Sequence, residues 1–233
     1  MILVFASELD EVARDATTEW SEQQAVLLTP ADIFCKGWRT RIGGVHDWSI
    51  VANRQQWPIR SVSGVVSLLP RILARELFDI QEEDRPFAAA EATAFALFFL
   101  SSIPCPVVNR PTPNCLNGPN WQPEQWTRAC FEAGVAFKVS CRRTNEVIRP
   151  ETACSGLRSV TVLGGKCLED TSEGCLADVL TLAQLANVTF LQVYFAQDEG
   201  ESIFYRAQLT PDLSKVGIRT ALREYFDSSK WSW

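Results

Sequence analysis

Residues 104–121, PCPVVNRPTPNCLNGPNW, hold the side chains best suited to chemistry in this 233-residue chain. A short apolar strand, Val107 and Val108, delivers Asn109 and Arg110, and a loop rich in Pro, Asn and Gly follows. An amide and a guanidinium at a strand end can hydrogen-bond and charge-pair a ligand, on a loop that prolines restrict. The same composition also meets the backbone demands of a surface turn. With Asn109 and Arg110, the candidate contacts on this side are Arg71, Arg85, Asn117 and Trp121. Glu91 lies upstream in an apolar segment, where a buried carboxylate needs a partner such as Arg71, Arg85 or Arg110. A catalytic acid is one reading of Glu91. The other is an ion pair tying helix to loop, with Arg85 and Arg110 meeting Asp84 and Glu91 to lock the fold.

Other chemistries are poorly supplied. The single histidine, His46, has no cysteine or second histidine within ten residues, which disfavours Ser-His or Cys-His catalysis and zinc. The eight cysteines (Cys35, Cys105, Cys115, Cys130, Cys141, Cys154, Cys167 and Cys175) form no CxxC, so free thiols are expected. GGKCLED after a strand lacks a phosphate-loop pattern and reads as a strand-to-helix turn. Asp198, Glu199 and Glu201 sit at a hairpin tip, where consecutive carboxylates are usually solvated, so no metal is assigned. No catalytic residue and no cofactor is assigned. A formal charge of −6, with basic residues dispersed, argues against nucleic acid and anionic membranes as partners. MILVFASELDE lacks the basic start of a secretory signal, and the apolar stretch 87–103 is too short to span a bilayer; a soluble cytoplasmic protein is expected.

The elements that must position these residues alternate between strand and helix. Met1–Phe5 and Ala25–Leu28 read as buried strands around a helix over residues 8–20. Residues 47–52 and 61–66 are further strand candidates. Residues 86–102, after an Asp84 cap, read as a helix apolar on nearly all sides and therefore buried. Pro123–Gly134 is a short helix, and residues 136–157 show no periodicity. Ser159–Leu163 is a strand, and Leu176, Val179, Leu180, Ala183 and Ala186 mark a helix face. Residues 188–195 and 202–207 flank an acidic turn as a hairpin, and a last helix follows Pro211. The tail ends in Trp231 and Trp233, either an interface or a segment folded back on the chain.

The run DRPFAAAEATAFALFFLSSIPCPVVNRPTPNCLNGPNW, residues 84–121, resembles the N-terminal part of ATP-grasp ligase-like proteins that modify ribosomal peptides. The shared features are Asp84-Arg85, the Ala-rich helix carrying Glu91, and the strand end Pro106–Pro111. SVTVLGG (159–165), the following helix, the hairpin and Pro211-Asp212-Leu213 resemble the C-terminal portion. The resemblance implies an α/β chain. Its parts would be a pre-ATP-grasp-like domain (1–135), a connector replacing the nucleotide-lid subdomain (136–158), and a C-terminal ATP-grasp remnant (159–233). In that family an acid and a Glu-x-Asn pair hold Mg²⁺ on neighbouring strands. Here the corresponding strand IFYRAQ carries Tyr205, Arg206 and Ala207, and Lys138 is the sole lysine near the shortened middle. The chain is thus similar to truncated accessory proteins of crocagin-type pathways. That implies a non-catalytic binder of a precursor (leader) peptide, presenting it to partner biosynthetic enzymes as a homo- or hetero-dimer. The alternatives are an ATP-grasp-type peptide ligase or cyclase active only with a partner, and a purely structural subunit.

Overall fold

The structure, a computed structural model, describes residues 1–21, 24–41, 44–137, 157–169, 173–198 and 201–228. The expectations for Lys138, Cys141, Cys154, Glu199, Trp231 and Trp233 fall outside the described residues.

Ile2–Phe5 (β1) is apolar at every position, as a parallel strand covered on both faces must be. Glu11–Glu19 (α1) follows, its first turn closed by Asp10, which accepts a hydrogen bond from Ala13 N at 3.0 Å. Next come Ala25–Leu28 (β2), Ser49–Ala52 (β3), Gln55–Pro58 (β4), Gly64–Ser67 (β5), Arg85–Ser102 (α2) and Val107–Val108 (β6). Pro123–Ala133 (α3), Arg158–Leu163 (β7), Lys166–Cys167 (β8), Glu173–Leu185 (α4), Phe190–Asp198 (β9), Glu201–Gln208 (β10) and Val216–Ser228 (α5) complete the order. Among the described residues, no helix is long and apolar enough to cross a membrane.

Two compact units result. The first comprises residues 1–120 and the stretch from Thr210 onward; the second is 121–209. Trp126, Ala129 and Cys130 of α3 pack with the second unit's core, whereas α5 packs on the first unit's sheet.

In the first unit a parallel sheet runs in the order β2-β1-β5-β6. One face carries Leu3, Phe5, Val26, Leu28, Val65 and Val107, covered by α2 and by the β3–β4 hairpin. On the other face Gly64 lies beneath the ring of Phe226 from α5. A Cβ there would fall on that ring, so glycine at 64 sets how closely helix and sheet approach. Arg219 of α5 donates to Glu19 at the end of α1 at 2.5 Å.

Helix α2 departs from the expectation of a helix buried all round. Ala89, Ala92, Ala96, Phe99 and Leu100 are buried, but Phe87 is 72% exposed, Phe98 40%, and Glu91 faces solvent. Sheet and hairpin cover only one side of it, so the carboxylate of Glu91 needs no buried partner.

In the second unit an antiparallel sheet is ordered β10-β9-β7-β8. Val160, Val162, Leu191, Val193 and Phe195 face the helices α3 and α4. The hairpin expected around residue 199 is present as β9 and β10. Gly164 and Gly165 do not lead into a helix. They are the two-residue turn between β7 and β8, at φ 56° and 81°, which suits a turn needing two left-handed residues.

Candidate functional site

The loop after β6 is held mainly by its own polar groups. Arg110 donates from Nη1 to the carbonyls of Leu100 (3.3 Å) and Ile103 (3.1 Å), and from Nη2 to Cys105 O (2.9 Å). A helix leaves its last carbonyls without partners, and a cation there also opposes the helix dipole. Arg110 therefore caps the end of α2 and the segment leaving it. Arg85, in the first turn of α2, donates to carbonyls of the segment before the helix, Ile80 O (2.8 Å) and Phe78 O (3.2 Å), and so fastens that segment to it. The expected pairing of Arg85 and Arg110 with Asp84 and Glu91 is thus replaced by bonds to backbone carbonyls.

Asn117 is buried and ties three segments of the first unit together. Its Nδ2 donates to Leu68 O (3.4 Å) and Thr210 Oγ1 (3.2 Å), and its Oδ1 accepts from Cys115 Sγ (3.0 Å). Asn109, at the end of β6, is only 1% exposed. Arg71 is exposed. Trp121 belongs to the second unit, edge-on to Trp126 at 4.8 Å. The six candidates do not converge on one cavity. Cys105 in this loop is no nucleophile, because burial pushes its thiol up to about 12.

Asp32 is the braced carboxylate that sequence reasoning passed over, although its motif, Thr29-Pro30-Ala31-Asp32, is a recognisable turn opener. It is 2% exposed and accepts from Thr29 N (2.9 Å), Thr29 Oγ1 (3.0 Å), Asn53 N (3.3 Å) and Arg54 N (2.9 Å). The last two residues have φ of 50° and 57° and form the turn between β3 and β4. Asp32 thereby fastens that hairpin to the end of β2.

The hairpin in turn frames an open cavity of about 630 Å³. Arg39, Arg41 and Arg60 stand around it with Asp47, over a wall of Trp48 and Trp57. The frame is well fixed. Arg39 and Ser49 exchange backbone bonds of 2.9 and 3.0 Å, and Trp48 Nε1 donates to Arg41 O at 2.8 Å. Gln56 Nε2 donates to Ser49 Oγ at 2.9 Å and to Gly37 O at 3.0 Å. The charges are not fixed in the same way. Among the described residues the guanidiniums of Arg39 and Arg41 have no hydrogen bond or ion pair, and Arg60 has one bond, Nη2 to His46 O at 3.4 Å.

A second polar surface lies on the sheet face of the second unit opposite α3 and α4. Thr161, Gln192 and Gln208 are successive partners across β7, β9 and β10; Ser159, Tyr194 and Arg206 form the neighbouring row. Tyr194 Oη donates to Gln192 Oε1 (2.9 Å), and Arg206 stacks 4.2 Å from the Tyr194 ring centre. Thr161 Oγ1 donates to Glu169 at 3.0 Å. Gln192 is fully buried, and among the described residues its Nε2 has no partner. Tyr205 is the extra residue of a bulge between Phe204 and Arg206.

Comparison with known proteins gives a likeness of fold. No protein-family model matches the sequence, and no curated protein matches it. Among solved structures, macrocyclase MdnC of Microcystis aeruginosa MRC, bound with precursor peptide MdnA, superposes with a TM-score of 0.68 at 10% identity, covering 98% of this chain and 99% of that one. The fold is ATP-grasp-like. A RiPP-associated ATP-grasp ligase of Chryseobacterium gregarium, in complex with ADP and a leader and core peptide, matches at 0.64 and 10% identity over 97% and 95%. ATP-grasp ligase PsnB, complexed with precursor peptide PsnA2 and AMPPNP, matches at 0.64 and 11% identity over 97% of each chain.

The Mg²⁺ that such ligases imply does not fit the polar rows of the second sheet. A magnesium ion bridging phosphates takes hard anionic oxygens. These rows offer two amides, a phenol, two hydroxyls and the cation of Arg206, with Glu169 alone as a carboxylate. Among the described residues, no three His, Cys, Asp or Glu side chains gather as a metal site.

Proposed function

We propose that this chain is a non-catalytic peptide-binding protein of ribosomal-peptide maturation. It holds a precursor peptide and presents it to partner modifying enzymes. The observation that carries the reading is the polar face of β7, β9 and β10. That face presents Gln192, Gln208, Tyr194 and Arg206, amides, a phenol and a cation, whereas phosphoryl transfer needs carboxylates to hold a metal, which supports a chain without that chemistry. The likeness to ligases whose structures contain precursor peptides supports a peptide as the ligand. In this reading residues 136–158 replace a nucleotide-lid subdomain, the protein works in the cytoplasm, and it forms a homo- or hetero-dimer. The role proposed is that of the accessory proteins of crocagin-type pathways.

Glu169, bonded to Thr161 beside the polar rows, favours a second reading as a ligase that a partner completes. Calorimetric titration with a candidate precursor peptide separates the two. Micromolar binding that ATP and Mg²⁺ leave unchanged supports the binding protein. Nucleotide-dependent binding, or ADP release with a partner present, supports the ligase. No heat with the peptide sinks both.

A further inference from the structure

The cavity beside the β3–β4 hairpin concentrates positive charge on an acidic chain. Arg39 and Arg41, close in sequence, and Arg60, some twenty residues later, surround one opening of about 630 Å³ beside the hairpin, with Asp47 the single acid among its lining residues. An arginine that braces structure spends its donors on carbonyls or carboxylates, as Arg110 and Arg85 do. Here, among the described residues, Arg39 and Arg41 spend none and Arg60 spends one. Each guanidinium is therefore free to take a carboxylate in a two-pronged bond.

The surroundings narrow the ligand further. Trp57, half-buried, walls the cavity, and its indole nitrogen is engaged with Ala52 O, so it presents ring surface rather than a donor. Trp48 beneath it is buried, its indole nitrogen bonded to Arg41 O, and holds the floor in place. Inorganic phosphate or a lone carboxylate would use the arginines and leave the ring idle. A peptide carrying two or more acidic residues close to an aromatic or aliphatic one uses both.

We infer that the cavity bounded by Arg39, Arg41, Arg60 and Trp57 is the docking site for an acidic segment of the peptide ligand, with one apolar side chain seated on the ring of Trp57. This rests on the peptide-binding reading given above and adds where the peptide is held and by what chemistry. All three guanidiniums are exposed, so replacing them leaves the core intact.

The test uses full-length protein and fluorescence anisotropy with two synthetic probes. One is a dodecapeptide of alternating Glu and Asp around a central Phe; the other is its Gln/Asn counterpart. Wild-type protein is expected to bind the acidic probe with an affinity that falls as salt rises, and to bind the neutral probe at least about tenfold more weakly. Arg39→Ala/Arg41→Ala should lose about tenfold or more for the acidic probe, while Arg14→Ala, away from the cavity, binds as wild type. Trp57→Ala should weaken both probes, through the loss of its ring. Equal binding of the two probes, no loss in the double variant, or equal competition by single-stranded DNA overturns the inference. Precursor binding that the double variant leaves unchanged refutes this site and spares the function; no precursor binding by wild-type protein refutes the function itself.

Discussion

The loop after β6 and the cavity beside the β3–β4 hairpin both carry arginines and both belong to the first unit, yet they use them in opposite ways. Around residues 104–121 the polar groups are spent internally, with Arg110 on three carbonyls and Asn117 on three partners. Around the cavity the backbone and indole groups are satisfied, while the guanidiniums of Arg39 and Arg41 are uncommitted among the described residues. The contrast teaches that the residue types of a ligand site do not make one. What distinguishes the two is where the donors point and whether the fold has already used them.

That comparison can be broken by asking stability and binding separately. The largest stability loss is expected at the foundation of the hairpin. Asp32→Ala removes the acceptor for four donors and should cost about 3 kcal/mol in denaturant unfolding, loosening the cavity as well. Asn117→Ala should cost about 2 kcal/mol and leave peptide affinity unchanged. Arg110→Ala, with its donors near the surface, should cost about 1 kcal/mol. Arg41→Ala should shift stability by less than about 0.5 kcal/mol while weakening an acidic peptide. A reversed order, with Arg41 mattering for folding and Arg110 for affinity, would undo the distinction.

Two of the buried thiols, Cys105 and Cys130, give a pH dependence of known sign. Burial pushes both Cys105 and Cys130 up to about 12, above the range of an unfolded thiol. A raised folded pKa means stability that is complete below the unfolded value and is lost as pH rises through the folded one. The unfolding free energy should therefore decline between about pH 9 and 12, by up to about 1.4 kcal/mol per unit for each thiol. Cys105→Ser/Cys130→Ser protein should show a shallower decline, measured by denaturant unfolding across that range.

Much of the architecture was legible because it rests on local patterns. The apolar run Met1–Phe5, the Pro and Gly flanking α3, and the turn between β9 and β10 each follow from period or turn chemistry. Glu91 was misleading because an Ala- and Phe-rich helix reads as buried all round, whereas its burial depends on how much of the helix its neighbours cover. Arg85 and Arg110 are read against nearby acids because sequence shows charges but not the open backbone carbonyls they meet, Ile80 in the turn before α2 and Ile103 at its end. The cavity was the hardest to foresee. Arg60 lies far in sequence from Arg39 and Arg41, and the Arg39–Ser49 bridge together with the β3–β4 pairing brings the three around one opening.

The central claim is that the peptide docks on the hairpin cavity while the loop after β6 acts as a brace. Hydrogen–deuterium exchange of the protein with and without its precursor peptide tests this most directly. The account predicts slowed exchange in residues 44–60 on adding peptide, with residues 104–121 unchanged. Protection confined to residues 104–121, with residues 44–60 unaltered, would contradict it.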